Sequence, residues 1–371
     1  MKVYLDNAAS TPIDPDVITS MIPCYSTCFG NPSSTHQFGL EAAKQLSWAR
    51  NILAQSLNAS PHEIIFTSGG TESNNLALNI AFTKPRPHII ITTTEHSSIL
   101  APAKNMLNNN CEVTILSVDS YGLVDPKDVI QAIKTNTALV SIAHANNETG
   151  VFQPINTIYK ICKEHSILFH TDASQSYSKS SLQASSADLI TLSAHKINGP
   201  KGIGALYIRD GVHAQPQLFG GGQEGGRRSG TPNHACAVGF AAAVQTFSIE
   251  KIKHLKDLST YFLESLRCAI PNLVLNGHPT NRLSHIMNLT FPGIDAQAMY
   301  KQLDDKDIAC SLGSACDSHT LTPSHVLIAM GISPIQIHQS LRFSLGVQNT
   351  KEEIDYTIKY ITSIYKTLKA L

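Results

Sequence analysis

In LSAHKINGPKGIG, residues 192–204, an apolar run stops at a turn that carries Ser193, His195 and Lys196. An ammonium, an imidazole and a hydroxyl at the point where a buried strand surfaces ask for a ligand. Lysine is a nucleophile only when its surroundings ease the loss of a proton normally held to a pKa of about 10.4. Asp172 closes the preceding apolar run, ILFHTDA. A carboxylate there can cap the next helix or hold a proton on a heteroaromatic nitrogen. In TSGGTESNN another apolar run enters Gly69-Gly70, Thr71 and a helix with Glu72 in its first turn. Glycines let the backbone approach an anion, and the helix N-terminus adds a positive dipole end. No Lys-Ser/Thr pair follows, so this is a phosphate cup and not a Walker loop. Each feature alone has an ordinary structural explanation. Together they fit the arrangement that holds pyridoxal 5'-phosphate (PLP): lysine, acid partner and phosphate site.

Two more groups suit that cofactor. His96 in TEHSSI follows the next strand, where an imidazole can lie flat on a pyridine ring. Asn147 in HANNETG and Gln175 in DASQ can hydrogen-bond a ring hydroxyl.

The elements that must position these residues are strand-like runs at 63–68, 88–93, 112–118, 138–145, 166–173 and 188–194. Helical patterns separate them, such as Leu40, Ala43, Leu46, Ala49, Leu53 and Leu57 at three-to-four spacing. Apolar strands joined by helical crossovers predict a mostly parallel sheet covered on both faces, with ligands at the strands' carboxyl ends. After about Ser248 an amphipathic helix (Ile252, Leu255, Leu258, Phe262, Leu266) and shorter strands predict a smaller α+β domain, with the N-terminal dozen residues packed near it.

Composition narrows the class. Of 371 residues, 42% are apolar and 15% charged, and the net charge is +0, which favours neither nucleic acid nor a membrane surface. MKVYLDNAAS offers no apolar core for an export signal, and no run reaches membrane-span length, so a cytoplasmic protein is expected. The 8 cysteines are scattered, and Cys24–Cys28 has no second pair at ligand spacing, so no metal is expected.

TSGGTESNN, TEHSSI, NNETG, HTDASQ, LSAHKINGPKGIGALY, GGGQEGGRRSGT, GSAC and SLRFSLG occur in this order, and the resemblance runs from Leu5 to Gly346. The chain resembles the cysteine desulfurases, class V aminotransferase-type enzymes of PLP fold type I. The resemblance implies an α/β fold: a large PLP-binding domain (15–250) with a mostly parallel, seven-stranded-type sheet covered by helices. A smaller α+β domain (1–14 and 251–371) would carry the cysteine loop. Lys196 would bind the cofactor aldehyde and take the substrate's α-proton, Asp172 would pair with the pyridinium nitrogen, and His96 would stack on the ring and join proton traffic. Gly70, Thr71, Ser193 and His195 would hold the phosphate, and Asn147 and Gln175 the ring-hydroxyl side. Thr231 in RRSGT would reach the phosphate of a partner subunit, which implies a homodimer with shared sites. Arg342 would clamp the substrate carboxylate and Asn31 in GNPSSTH would support it. A guanidinium fork matches a carboxylate bidentately.

The implied reaction converts L-cysteine to L-alanine and leaves the sulfur as a persulfide on Cys316 in GSAC. The stretch from Cys316 to Pro323 resembles the longer-loop branch, which delivers sulfur to a scaffold protein for iron–sulfur cluster assembly; a tRNA-thiolation relay is another acceptor. Two positions depart from the family. Asp317 stands where Ser or Thr is usual, and its charge disfavours the Cys316 thiolate, so a slow enzyme is expected. Gly225 stands where Arg is frequent. One competing reading is a selenocysteine lyase or another class V enzyme, which need not use a cysteine nucleophile. A non-catalytic PLP-fold binding subunit is another, but it would need none of Lys196, Asp172, Arg342 and Cys316 together.

Overall fold

The computed structural model describes residues 1–83, 85–312 and 323–370. The chain opens with β1 (Val3–Tyr4), and the six apolar runs then become β2 (Ile64–Thr67), β3 (His88–Thr92), β4 (Glu112–Leu116), β5 (Thr137–Ser141), β6 (Leu168–Asp172) and β7 (Leu189–Ser193). A further strand, β8 (Gly204–Ile208), returns antiparallel and inserts between β2 and β7. The order across this seven-stranded sheet is β2-β8-β7-β6-β5-β3-β4, with β4, β3, β5, β6 and β7 all parallel. Five residues directly after a Gly-Pro turn gave little periodicity from which to expect β8. The run 138–145 is also shorter as a strand than its composition suggests. Past Ser141 the chain stays bonded to β6 through the Ile142 and His144 N–H groups, but on its other edge the Ala143 N–H donates to the Glu95 carboxylate at 3.1 Å.

Helices cover the sheet. α1 (Pro15–Ser26) starts on an Asp14 cap with proline in its first turn, and α2 (Gln37–Leu57) ends on Asn58 in the left-handed conformation. The buried face of α2 is Ala42, Ala49, Leu53 and Leu57, whereas Leu40, expected to face inward, is 47% exposed. Phe38 and Trp48 of the same helix are exposed too, as are Ile22, Tyr25 and Phe29 of the α1 region, and the Phe29 and Phe38 rings meet at 5.6 Å. The helix His234–Thr246 is apolar nearly all round and buried against α1 and α2. Among the described residues, no single helix is long and apolar enough to cross a membrane.

A second apolar cluster joins Val3 and Leu5 to Phe262, Phe291, Leu341 and Phe343. It is organised by β9 (Val274–Asn276), β10 (Ile286–Thr290) and the later β12 (Ser340–Ser344), which form an antiparallel sheet in the order β12-β10-β9. β1 pairs in parallel with β11 (Ile308–Ala309). The N-terminal residues therefore dock on the C-terminal third of the chain, as expected.

The large sheet hides two imidazoles. His170 lies between the Ser141 and Thr191 hydroxyls (2.8 and 3.0 Å), and His88 between those of Thr137 and Thr114 (both 2.8 Å). Burial pushes both rings down to about 4. An unfolded histidine takes a proton near pH 6.5, so between pH 6.5 and 4 the unfolded chain binds more protons. Stability is then complete above that window and is lost as pH falls through it, by roughly 3 kcal/mol per histidine. Denaturant midpoints measured from pH 7 to 4 check this, and His170→Gln should flatten the slope.

Candidate active site

The carboxyl edge of the large sheet gathers the polar residues because parallel strands end together there. Asp172 and Ser193 are the last residues of β6 and β7, Thr67 ends β2, and His96 follows β3. Asp172, Ser193 and His96 surround a cavity of about 450 Å³ that also receives Lys196, Gln175, Asn147 and, from β12, Arg342.

One wall is the anion cup. α3 (Gly70–Asn79) starts on Gly69, whose φ of 154° favours glycine, and Gly70 leaves open a space where a Cβ would stand 3.0 Å from the Ser174 hydroxyl. Glu72 is turned out of the cup: Arg228 donates to it at 2.8 Å and the Ser68 N–H at 2.7 Å. Burial opposes its ionisation, but these bonds hold its carboxyl below the ordinary range. The helix N-terminus is thereby left for another anion. Thr71 lies exposed at its rim, and the Ser193 hydroxyl beneath is buried with no partner. His195 completes this side. Burial, reinforced by Lys196, Lys201 and Lys179, drives its imidazole down to about 4, so it is neutral at pH 7.

Turns and not a helix follow β6, so Asp172 caps no helix: its carboxylate orders the turn and faces the cavity. Its Oδ1 accepts the Ser174 N–H at 2.9 Å and its Oδ2 accepts from Asn74 Nδ2 at 2.7 Å, while the carboxylate lines the cavity. Asn74 also donates to Ser98 Oγ (2.8 Å), which lies 2.8 Å from His96 Nδ1. His96 Nδ1 accepts the Ser98 N–H at 3.1 Å and so caps α4 (Ser97–Leu107), which places the neutral ring's proton on Nε2. Burial keeps that ring neutral, and the cation Lys196 acts in the same direction. Sequence reasoning missed Asn74 and Ser98. The signal for Asn74 was its place four residues after Gly70, one turn along the same helix face.

Lys196 ends a short turn, Ala194–Lys196, and its Nζ donates to the carbonyls of Ala8 and Ala9 at 2.6 and 2.9 Å. Gln175 Nε2 donates to the same Ala8 carbonyl at 2.9 Å, which leaves Gln175 Oε1 buried without a partner. Arg342 is 4% exposed. It pairs with Asp6 at 2.7 Å and donates to the Asn147 carbonyl at 3.1 Å. The neighbouring Asn146 is a structural residue, tied to the Thr94 carbonyl and the Glu148 and Thr149 N–H groups.

Two expected residues do not reach this chain's cavity. Asn31 is exposed and its Oδ1 accepts the Ser33 N–H at 2.9 Å within its own turn. Thr231 is also exposed and outside the cavity. Cys316 and Asp317 lie outside the described residues. Cys310 is a core cysteine, and burial above all pushes its thiol far up.

The residues present fit PLP. Gly70 and the α3 N-terminus suit its phosphate, and Asp172 suits a protonated ring nitrogen. The orphaned buried atoms Asn74 Oδ1, Gln175 Oε1 and Ser193 Oγ all belong to residues lining the cavity. Lysine, acid and anion cup on the carboxyl edge of such a sheet define a fold built around a lysine-bound, anionic cofactor.

The family model described as aminotransferase class-V matches residues 3–357. The chain is 41% identical to a cysteine desulfurase IscS of Dictyoglomus turgidum, over 100% of this chain and 96% of that protein. Among solved structures it is similar to a NifS-like protein, with a TM-score of 0.92 and 35% identity, covering 99% of this chain and 100% of that one. It is also similar to SspA in complex with cysteine, with a TM-score of 0.85 and 37% identity, covering 94% and 100%. The chain belongs to the class-V aminotransferase family and, within it, to the cysteine desulfurases.

Proposed function

We propose that the protein converts L-cysteine to L-alanine and passes the sulfur to Cys316 as a persulfide. The observation that carries this reading is the convergence of Lys196, Asp172, the α3 anion cup and Arg342 on one cavity. PLP bound there would supply an electron sink for a negative charge at the substrate's Cα. Arg342 would bind the substrate carboxylate from the β12 side, and Asp172 would keep a proton on the ring nitrogen. Lys196 Nζ would take the α-proton, and His96 Nε2 would stand over the ring as a proton carrier. The Cys316 thiolate would form a bond to the substrate sulfur as the Cβ–S bond breaks. The electron pair stays on the carbon fragment, which takes protons on its way to alanine. An external thiol then reduces the persulfide and releases sulfide.

Residues 15–250 would form the cofactor domain and 1–14 with 251–371 the smaller one, a division supported by their separate apolar clusters. A homodimer is supported by the exposed Tyr25, Phe29, Phe38 and Trp48, with Thr231 and Asn31 reaching a partner's site. A scaffold protein for iron–sulfur assembly is the proposed sulfur acceptor, in a reducing cytoplasm, with tRNA thiolation a second route.

Alanine released from L-cysteine, with PLP and a thiol reductant present, tests the reading. Cys316→Ala should lose at least about 100-fold, since a reductant thiol in solution replaces a tethered nucleophile only slowly. Equal activity would move the assignment to a lyase, and no alanine from wild type would favour a binding subunit.

A further inference from the structure

Asp6 occupies the guanidinium on which a substrate carboxylate would have to land. Its Oδ1 accepts from Arg342 Nη2 at 2.7 Å, and Arg342 Nη1 is engaged by the Asn147 carbonyl at 3.1 Å. Arg342 Nε is buried with no partner among the described residues, so these two acceptors do not saturate the guanidinium, and Arg342 lines the cavity. Both backbones are anchored. Arg342 sits in the β12 ladder, facing Asn288 of β10 on one side and exchanging backbone hydrogen bonds with Ser311 on the other. Asp6 is bridged to Ser344, and the Tyr4 hydroxyl donates to its carbonyl at 3.0 Å. Its carboxylate lines the same cavity as Lys196. Burial makes this carboxyl less acidic than an ordinary aspartate, and Arg342 and Lys196 offset that only in part. The site already holds one anion at a cost, and a second beside the same guanidinium costs more.

We propose that Asp6 is a positioning residue that aims Arg342 and, by sharing its charge, sets how tightly the carboxylate of an amino-acid substrate binds. The proposal rests on Arg342 being the carboxylate clamp. Asp6 acts in two opposed ways: as an acceptor it orients the fork, and as an anion it repels the incoming carboxylate. Asp6→Asn separates them, because the amide oxygen keeps an acceptor of the same size before Nη2 while the charge is lost. The Asn147 carbonyl still accepts from Arg342 Nη1 and the amide oxygen from Nη2, so the lost repulsion dominates.

The test compares holoenzymes of wild type, Asp6→Asn and Arg342→Ala by sulfide release from L-cysteine and from its methyl ester. Asp6→Asn should lower KM for L-cysteine by about five- to tenfold, with kcat moving less, and leave KM for the uncharged ester in place. Calorimetric titration with 3-mercaptopropionate, a carboxylate thiol without the amine, should show the same tightening without turnover. A KM for L-cysteine that is unchanged or higher, or one that shifts equally for acid and ester, overturns the role of Asp6. Arg342→Ala should raise KM for L-cysteine by about 100-fold or more. If it does so while Asp6→Asn fails, the clamp stands and only the Asp6 proposal falls. If Arg342→Ala leaves KM unchanged, the clamp falls, and the Asp6 proposal with it.

Discussion

Replacing Lys196 by alanine is expected to lower alanine formation from L-cysteine by about 10,000-fold or more, the largest loss of any single change in the cavity. On the proposed reading two functions would disappear together, the nitrogen that would anchor the cofactor and the base that would take the α-proton. Charge alone does not explain the effect, and Lys196→Arg shows why. A guanidinium keeps the positive charge but has no neutral form in a protein, so it can neither act as base nor bind an aldehyde. Both variants should therefore fail to the same extent, and methylamine should restore part of the activity of Lys196→Ala, where space is left for it. The measurement is single-turnover alanine formation with saturating cofactor. More than a tenth of wild-type activity in Lys196→Arg would reduce Lys196 to an electrostatic role. The carbonyls of Ala8 and Ala9 that receive its Nζ stay in place in every variant, since they belong to a segment bound independently to β12 through Ala8 N–H and Ser344 Oγ at 2.8 Å.

Asp172→Asn should cost about 1,000-fold in kcat, within the range for a positioned proton-holding group. The carboxylate accepts from Ser174 N–H and from Asn74 Nδ2 and has lone pairs left for a ring N–H. An asparagine can satisfy Ser174 with its oxygen, but its NH2 then meets the Asn74 NH2. Asn74 must turn its amide round, which disturbs its donation to Ser98 and through it the aim of His96. The ring nitrogen would face a donor in place of an anion, and the cofactor would lose its power as an electron sink. Two readouts distinguish this from a general loss of structure: the cofactor's absorption band should shift, and thermal stability should change little. An unshifted band with full kcat would leave Asp172 only the ordering of the turn after β6. Asn74→Ala should reproduce a smaller part of the loss, about tenfold, because it removes one of two bonds orienting the same carboxylate.

Much of this architecture is legible in local pattern. β-branched runs that end in polar residues mark strands whose carboxyl ends carry Asp172, Ser193 and Thr67, and a Gly-Gly step before a helix marks the anion cup. Each depends on residues within one or two turns of each other, so the sequence states them directly. Leu40 illustrates the limit. Its spacing suits the inner face of α2, yet it lies outside, because an apolar stripe does not say which of two apolar surfaces becomes the core. Asn31 and Thr231 mark the same limit at the site, since a motif does not say whether its residue serves its own chain's cavity.

What the sequence by itself determined is the set of chemical groups and the edge on which most of them gather. Parallel strands end together, and residue types at those ends are read one by one. Only the tertiary structure decided how the two halves of the cavity are joined. Residues 6–11 run between β12 and the Lys196 turn: Asp6 on Arg342, Ala8 on Ser344, Gln175 and Lys196, and Thr11 on the His195 carbonyl. These bonds close separations of up to 336 residues. No period or cap encodes such contacts, because they form only when a segment with no regular structure of its own is held between two packed bodies.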